Sequence, residues 1–235
     1  LNGSKVDSPG VKIDKTRDVL VVDGQKVDFS GQKDHIYLAF NKPVQVVTTA
    51  DDPEGRTTIF DVLPPWVKQK RLFSVGRLDY FSEGLLLLTN DGDLAHRLTH
   101  PSWHSPKRYR VLLREKPAPE ALETMRRGMR LAEGEKLAPI KVFSCVECSA
   151  PRGYILEIEL IQGLNRQIRR MCRDLGLTVL KLARVSQGPV SLGELAPGKF
   201  RDLRPDEVAA LRQGVGLGSG GDVDVKAKTK PRRSV

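Results

Sequence analysis

Four consecutive leucines, Leu85 to Leu88, lie between Gly84 on one side and Asn90-Asp91-Gly92 on the other. No other feature limits the fold of this chain as much. An apolar run this short, stopped at both ends by turn formers, reads as a short buried strand. Immediately ahead of it is the loop Gly76-Arg77-Leu78-Asp79-Tyr80-Phe81-Ser82-Glu83-Gly84. A carboxylate on a loop anchored by a rigid core element is well placed to carry chemistry. Asp in a Gly-bounded loop also commonly does no more than shape a turn, so position alone leaves both readings open. Arg77, two residues before Asp79, suits either keeping the carboxylate ionised or binding a phosphate beside it.

Charge narrows the choice of partner. The 235 residues suffice for one substantial domain and a small one, and 39% hydrophobic with 29% charged residues is ordinary globular composition. The formal net charge is +10. The excess is clustered: Arg166, Arg169, Arg170, Arg173, Lys181 and Arg184 face the single acid Asp174, and Lys107, Arg108, Arg110, Arg114 and Lys116 face only Glu115. Clustering favours a nucleic-acid surface over a uniformly charged shell. No apolar run approaches the ~18 residues needed to span a membrane, and no signal peptide is visible. The first residue is Leu1, so the expectation is a chain starting inside a longer gene product. Cys145, Cys148 and Cys172 make no disulfide framework, and Cys145 and Cys148 lack a second pair for zinc. Structural thiols and a cytoplasmic location are expected.

Along the chain, Val11 to Ile13 and Asp18 to Val22 read as short strands of a small N-terminal module. Ile36 to Phe40 and Val44 to Thr49 are expected strands on either side of Asn41-Lys42-Pro43. Asp91 is positioned to cap a helix over roughly Asp93 to Thr99. Tyr109 to Leu113 is a strand, Pro119 to Gly128 a helix, and Lys141 to Cys148 with Tyr154 to Ile161 a hairpin. Many antiparallel strands with a few packed helices give an α+β domain. From Gly214 the composition shifts to a Gly-rich linker and a basic tail, expected to be disordered and either solubilising or an RNA tether.

A helix follows Gly163, with Asn165 as its expected N-cap and Gly176 as its end. Ile168, Met171, Cys172 and Leu175 form its buried stripe, and Arg166, Arg170 and Arg173 point away, toward solvent or phosphates. Arg169 lies about 60° from Cys172, at the margin of that stripe, where a guanidinium needs an acidic partner. In the strand, alternation sends Tyr109, Val111 and Leu113 to one face. A tyrosine there is ordinarily core.

Taken together, Gly76-Arg77-Leu78-Asp79, Ser82-Glu83-Gly84-Leu85 and Leu88-Thr89-Asn90-Asp91-Gly92 resemble the catalytic motif of the RsuA/RluB family of ribosomal RNA pseudouridine synthases. Asn41-Lys42-Pro43, Lys107-Arg108-Tyr109-Arg110-Val111, Gly163 to Met171, and Leu182-Ala183-Arg184 with Gly188-Pro189 match the same family in order. The resemblance spans residues from about 5 to 205. It implies an α+β pseudouridine-synthase fold over 35–212, a largely antiparallel sheet with packed helices, preceded by a partial S4-like RNA-binding module over 1–34. Residues 213–235 form the linker and tail.

The implied reaction converts a uridine of ribosomal RNA to pseudouridine with no cofactor and no metal. Asp79 would be the catalytic carboxylate, Tyr109 the residue stacking on the target uracil, and Arg169 the partner that holds Asp79 as an oriented anion. Leu182 would back the base, and Arg77, Lys42, Lys107, Arg166, Arg170 and Arg173 would contact RNA. Gly84 to Asp91 with Leu98-Thr99-His100-Pro101 resembles the RluB-type enzymes and Gly163 to Cys172 also resembles the RluF type, which favours large-subunit over small-subunit rRNA. The implied partner is ribosomal RNA or an assembly intermediate, met by a monomer. A catalytically inactive ribosome-assembly factor is the rival expectation.

Overall fold

The computed structural model describes residues 1–8, 10–11, 13–14, 17–27, 35–103 and 105–218. The chain divides into two compact units, Leu1–His35 and the remainder from Ile36. In the first, β1 (Val21–Val22) and β2 (Gln25–Lys26) pair antiparallel around Asp23-Gly24, both left-handed, as the right-handed strand twist prefers. Asn2 braces the unit: its Nδ2 donates to Asp18 Oδ1 at 2.8 Å and its Oδ1 accepts from the Val19 amide. The strand expected over 11–13 includes a position outside the described residues, as does the whole of 219–235.

The larger unit is a nine-stranded sheet with helices on both faces. Its elements are β3 (Tyr37–Lys42), α1 (Ile59–Val62), α2 (Pro65–Gln69), β4 (Phe73–Ser74), β5 (Glu83–Thr89), α3 (Gly92–Thr99), β6 (Lys107–Leu113), α4 (Pro119–Arg127), β7 (Lys141–Ser149), β8 (Arg152–Leu160), α5 (Gln167–Asp174), β9 (Val179–Gln187), β10 (Val190–Ser191), β11 (Phe200–Asp202) and α6 (Pro205–Gly214). Strand order is β11-β3-β5-β9-β6-β8-β7, with β4 added to β5 and β10 to β9. Among the described strands only β5 and β9 pair in parallel.

The leucine run becomes β5, and its alternation explains why every position is apolar. Leu86 and Leu88 join the core that contains Met171, Ile168 and Tyr109, whereas Leu85 and Leu87 join the opposite core under α3 and α6. A strand packed on both faces has no polar side to spare. Gly84 opens it in a left-handed conformation, and a Cβ there would overlap the Arg184 carbonyl of β9. Glycine therefore lets the two parallel strands meet.

Two local expectations fail for physical reasons. Val44 to Thr49 is no strand, because Gln45 takes a left-handed backbone (φ 60°) and only Val47 bridges, to Thr58. The helix after Gly163 begins at Gln167, and its N-cap is Arg166 in the left-handed region, not Asn165. There the Gln167 side chain reaches back to accept from the Leu164 amide at 3.1 Å.

Candidate active site

The loop from β4 to β5 is held along its length. Five successive carbonyls have donors: Leu78 from Thr48 Oγ1 at 2.8 Å, Asp79 from the Ser82 amide at 2.9 Å, Tyr80 from the Gln45 amide at 2.7 Å, Phe81 from Arg169 Nη2 at 2.7 Å, and Ser82 from Lys42 Nζ at 2.8 Å. The failed strand and Lys42, at the C-terminal end of β3, thus serve the same end, fixing the backbone that carries Asp79. The Asp79 side chain is half-buried, accepts no hydrogen bond among the described residues, and lines the adjoining cavity. A fixed backbone with a free carboxylate is what a reacting group needs.

That cavity, about 440 Å³, is bounded by the loop Val75–Asp79, by β6, β8 and β9, and by the turn leading into α5. Its size suits a nucleobase with part of its sugar. Tyr109 and Leu182 line it and are buried, at 8% and 5% exposed, in the same core. Arg77, Lys107, Arg166 and Arg184 also line it, and Asp79 is the single carboxylate among the described lining residues. Burial, followed by the Arg184 charge, lowers the Lys107 pKa to about 8, and its Nζ donates to Ser105 O at 2.9 Å.

Several expected contacts take another form. Arg169 and Asp79 make no direct ion pair; Arg169 grips the Phe81 carbonyl instead and meets Asp79 at longer range. Burial and the Arg166 charge lower the Arg169 pKa, and the Asp79 charge opposes them. Lys42 is not available to a phosphate, being fully buried with Nζ on the Pro43 and Ser82 carbonyls. Burial brings its pKa to about 8, against the pull of Asp79 and Glu83. Arg170 and Arg173 do not stand free on the outer face of α5: Arg170 pairs with Glu135, and Arg173 with Glu133 at 2.6 Å and Asp174 at 2.7 Å. Of the three arginines placed outward, only the exposed Arg166 opens on the cavity.

Sequence reasoning counted Arg184 only within the basic cluster and a family match, gave it no role in the site, and passed over Gln187. Both are buried, at 2% and 0% exposed, and both line the cavity. Alternation from Leu182 would have found Arg184. Gln187 is brought round by a register shift, since Arg108 pairs with Ser186 but Tyr109 with Arg184, leaving Val185 as an extra residue. Such a bulge moves every later side chain to the other face.

A family model described as RNA pseudouridylate synthase matches residues 36–174, which include the Asp79 loop, β6 and all of α5. An uncharacterized RNA pseudouridine synthase of Aquifex aeolicus is 37% identical over 219 residues, covering 92% of this chain and 84% of the relative. The ribosomal large subunit pseudouridine synthase B of Bacillus subtilis is 37% identical over 215 residues, covering 90% and 84%. A crystal structure of a pseudouridylate synthase superposes with a TM-score of 0.69 at 30% identity, covering 89% of this chain and 86% of that one.

Proposed function

This chain belongs to the family of RNA pseudouridylate synthases, and from that premise we propose that it isomerises one uridine of large-subunit ribosomal RNA at the Asp79 cavity. The observation that carries the site is the loop with five anchored carbonyls, which presents a free carboxylate to a cavity of nucleobase size. The large-subunit assignment is supported by the name of the Bacillus subtilis relative. The protein acts as a monomer in the cytoplasm, on rRNA or an assembling particle. Among the described residues no helix is long and apolar enough to cross a membrane.

The reaction breaks the N1–C1′ bond, turns the base, and joins C5 to C1′. A base inside an RNA stack is out of reach, so the uridine leaves its stack and enters the cavity. Tyr109 offers a π-face in place of the lost neighbours, with Leu182 as apolar backing. Asp79 works on the sugar, either as nucleophile at C1′ or as base toward the ribose. Both routes require an ionised oxygen held at one place. Arg169 serves it twice, through the Phe81 carbonyl and through its charge. Arg77 and Arg166, exposed at the rim, take backbone phosphates.

Carbodiimide-blocked reverse transcription of rRNA from cells lacking the gene tests the assignment. One pseudouridine should vanish from the large subunit and return with the gene. A site lost from small-subunit rRNA would overturn the target, and an unchanged map would overturn the function.

A further inference from the structure

The floor of the cavity holds polar atoms that the protein does not satisfy. Gln187 is fully buried, and neither its Nε2 nor its Oε1 has a protein partner. Arg184 donates through Nε to Leu85 O at 2.6 Å, but its Nη2 is also buried and unpaired. Polar atoms buried in folded proteins are nearly always hydrogen-bonded, so three unpaired atoms on two residues that line one cavity ask for a partner. The β9 bulge gathers them: it sets Gln187 opposite Lys107 and Arg184 opposite Tyr109. Arg184 and Lys107 are neighbouring cations, and no carboxylate answers them on this floor.

On the reading of function above, we propose that Gln187, Arg184 and Lys107 hold the two carbonyl oxygens and the N3–H of the target uracil, and stabilise its negative charge once it leaves the ribose. When N1–C1′ breaks, the electron pair stays on the base. Asp79 either bonds C1′ or takes a ribose proton, and both routes leave the same uracil anion, its charge shared by N1, O2 and O4. The ring then turns and C5 bonds C1′, displacing the Asp79 carboxylate from C1′ on the first route, or with Asp79 returning its proton to the ribose on the second; the proton on C5 is then lost and N1 gains one.

Uracil has a near two-fold axis through N3 and C6. A half-turn about it exchanges N1 with C5 and O2 with O4 and leaves N3–H where it was. An acceptor flanked by donors therefore fits the base before and after the turn. Gln187 Oε1 is that acceptor, and Gln187 Nε2, Arg184 Nη2 and Lys107 Nζ are the donors. Cytosine would present its amino group to cations, so the same floor selects uracil. Donors already in place where charge develops also lower the barrier without reorganising.

The test uses Gln187→Met and Lys107→Met, with single-turnover rates at saturating enzyme on RNA carrying uridine or 5-fluorouridine at the target, read by loss of the starting nucleoside. The fluorinated base leaves as a weaker base and needs the floor less. Gln187→Met should melt several degrees higher than wild type, because it deletes two unpaired buried atoms. Both variants should bind RNA within about twofold of wild type, yet react roughly 10–100-fold more slowly on uridine and with a smaller loss on 5-fluorouridine. Equal losses on both substrates, an unchanged rate, or a lowered melting temperature for Gln187→Met would overturn the floor alone. Wild-type protein that forms no pseudouridine would overturn the reading of function beneath it.

Discussion

Arg170 and Arg173 on α5 and Arg166 and Arg184 around the cavity come from one stretch of sequence dense in arginine, yet the fold treats them differently. The α5 pair meets Glu133, Glu135 and Asp174, mostly from a turn some forty residues earlier in the chain. Among the described lining residues, the cavity cations share the single carboxylate Asp79. Basic residues already neutralised by acids have little left for a phosphate, whereas cations gathered without acids await an anion. Charge density in a sequence points to a polyanionic partner; the placement of the acids separates the cations already paired from those still open to one.

Arg169 stands between the two groups and, among these basic residues, should give the largest effect. Arg169→Ala releases the Phe81 carbonyl and the charge beside Asp79, so single-turnover rates at saturating enzyme should fall about 100-fold. Lysine would restore only part of this, having no planar fork. If Arg170→Ala loses as much rate, the helix is one undivided basic face.

Arg166→Ala comes next. Removing one exposed phosphate contact should weaken RNA binding several-fold and reduce the slope of log affinity against log salt by about one. Chemistry on bound RNA should be unchanged. A salt slope identical to wild type would remove Arg166 from the RNA surface.

Lys42 provides a third kind of cation, one buried for structure. Its pKa is about 8 in the fold against an ordinary 10.5, so between those values the unfolded chain binds more protons and stability rises with pH. Below about 8 the full cost of burying the charge is present. Denaturant melts of wild type and Lys42→Met from pH 7 to 10.5 should show the rise in wild type and a shallower one in the variant. Parallel curves would place the Lys42 charge in water.

The smallest effect should come from Arg173→Ala. Its charge is already met by Glu133 and Asp174, so RNA affinity should stay within about twofold. A reduction of the salt slope equal to that of Arg166→Ala would erase the distinction between the two groups.

Much of this was legible in the sequence because it depends on local pattern. The leucine run gave a strand, Asp91 caps α3 by accepting from the Leu94 amide at 3.0 Å, and the Ile168, Met171 and Cys172 stripe is buried. What escaped depends on distant partners or on one backbone angle. Lys42 looked like a surface base until β3 buried it beneath the Asp79 loop. The acids that neutralise Arg170 and Arg173 lie in a separate turn. The extra residue in β9 leaves no composition signal, so Gln187 could not be assigned to the cavity by counting alternate positions. Gln45 in a left-handed conformation likewise broke an apparent strand to support the loop.

The central claim is that the fixed, unpaired carboxylate of Asp79 performs the isomerisation. Asp79→Asn keeps the shape and removes the charge. At saturating enzyme on large-subunit rRNA transcript or particles, the account predicts RNA binding within about twofold of wild type and pseudouridine formation slowed by at least about a thousandfold. Full turnover by Asp79→Asn would contradict it.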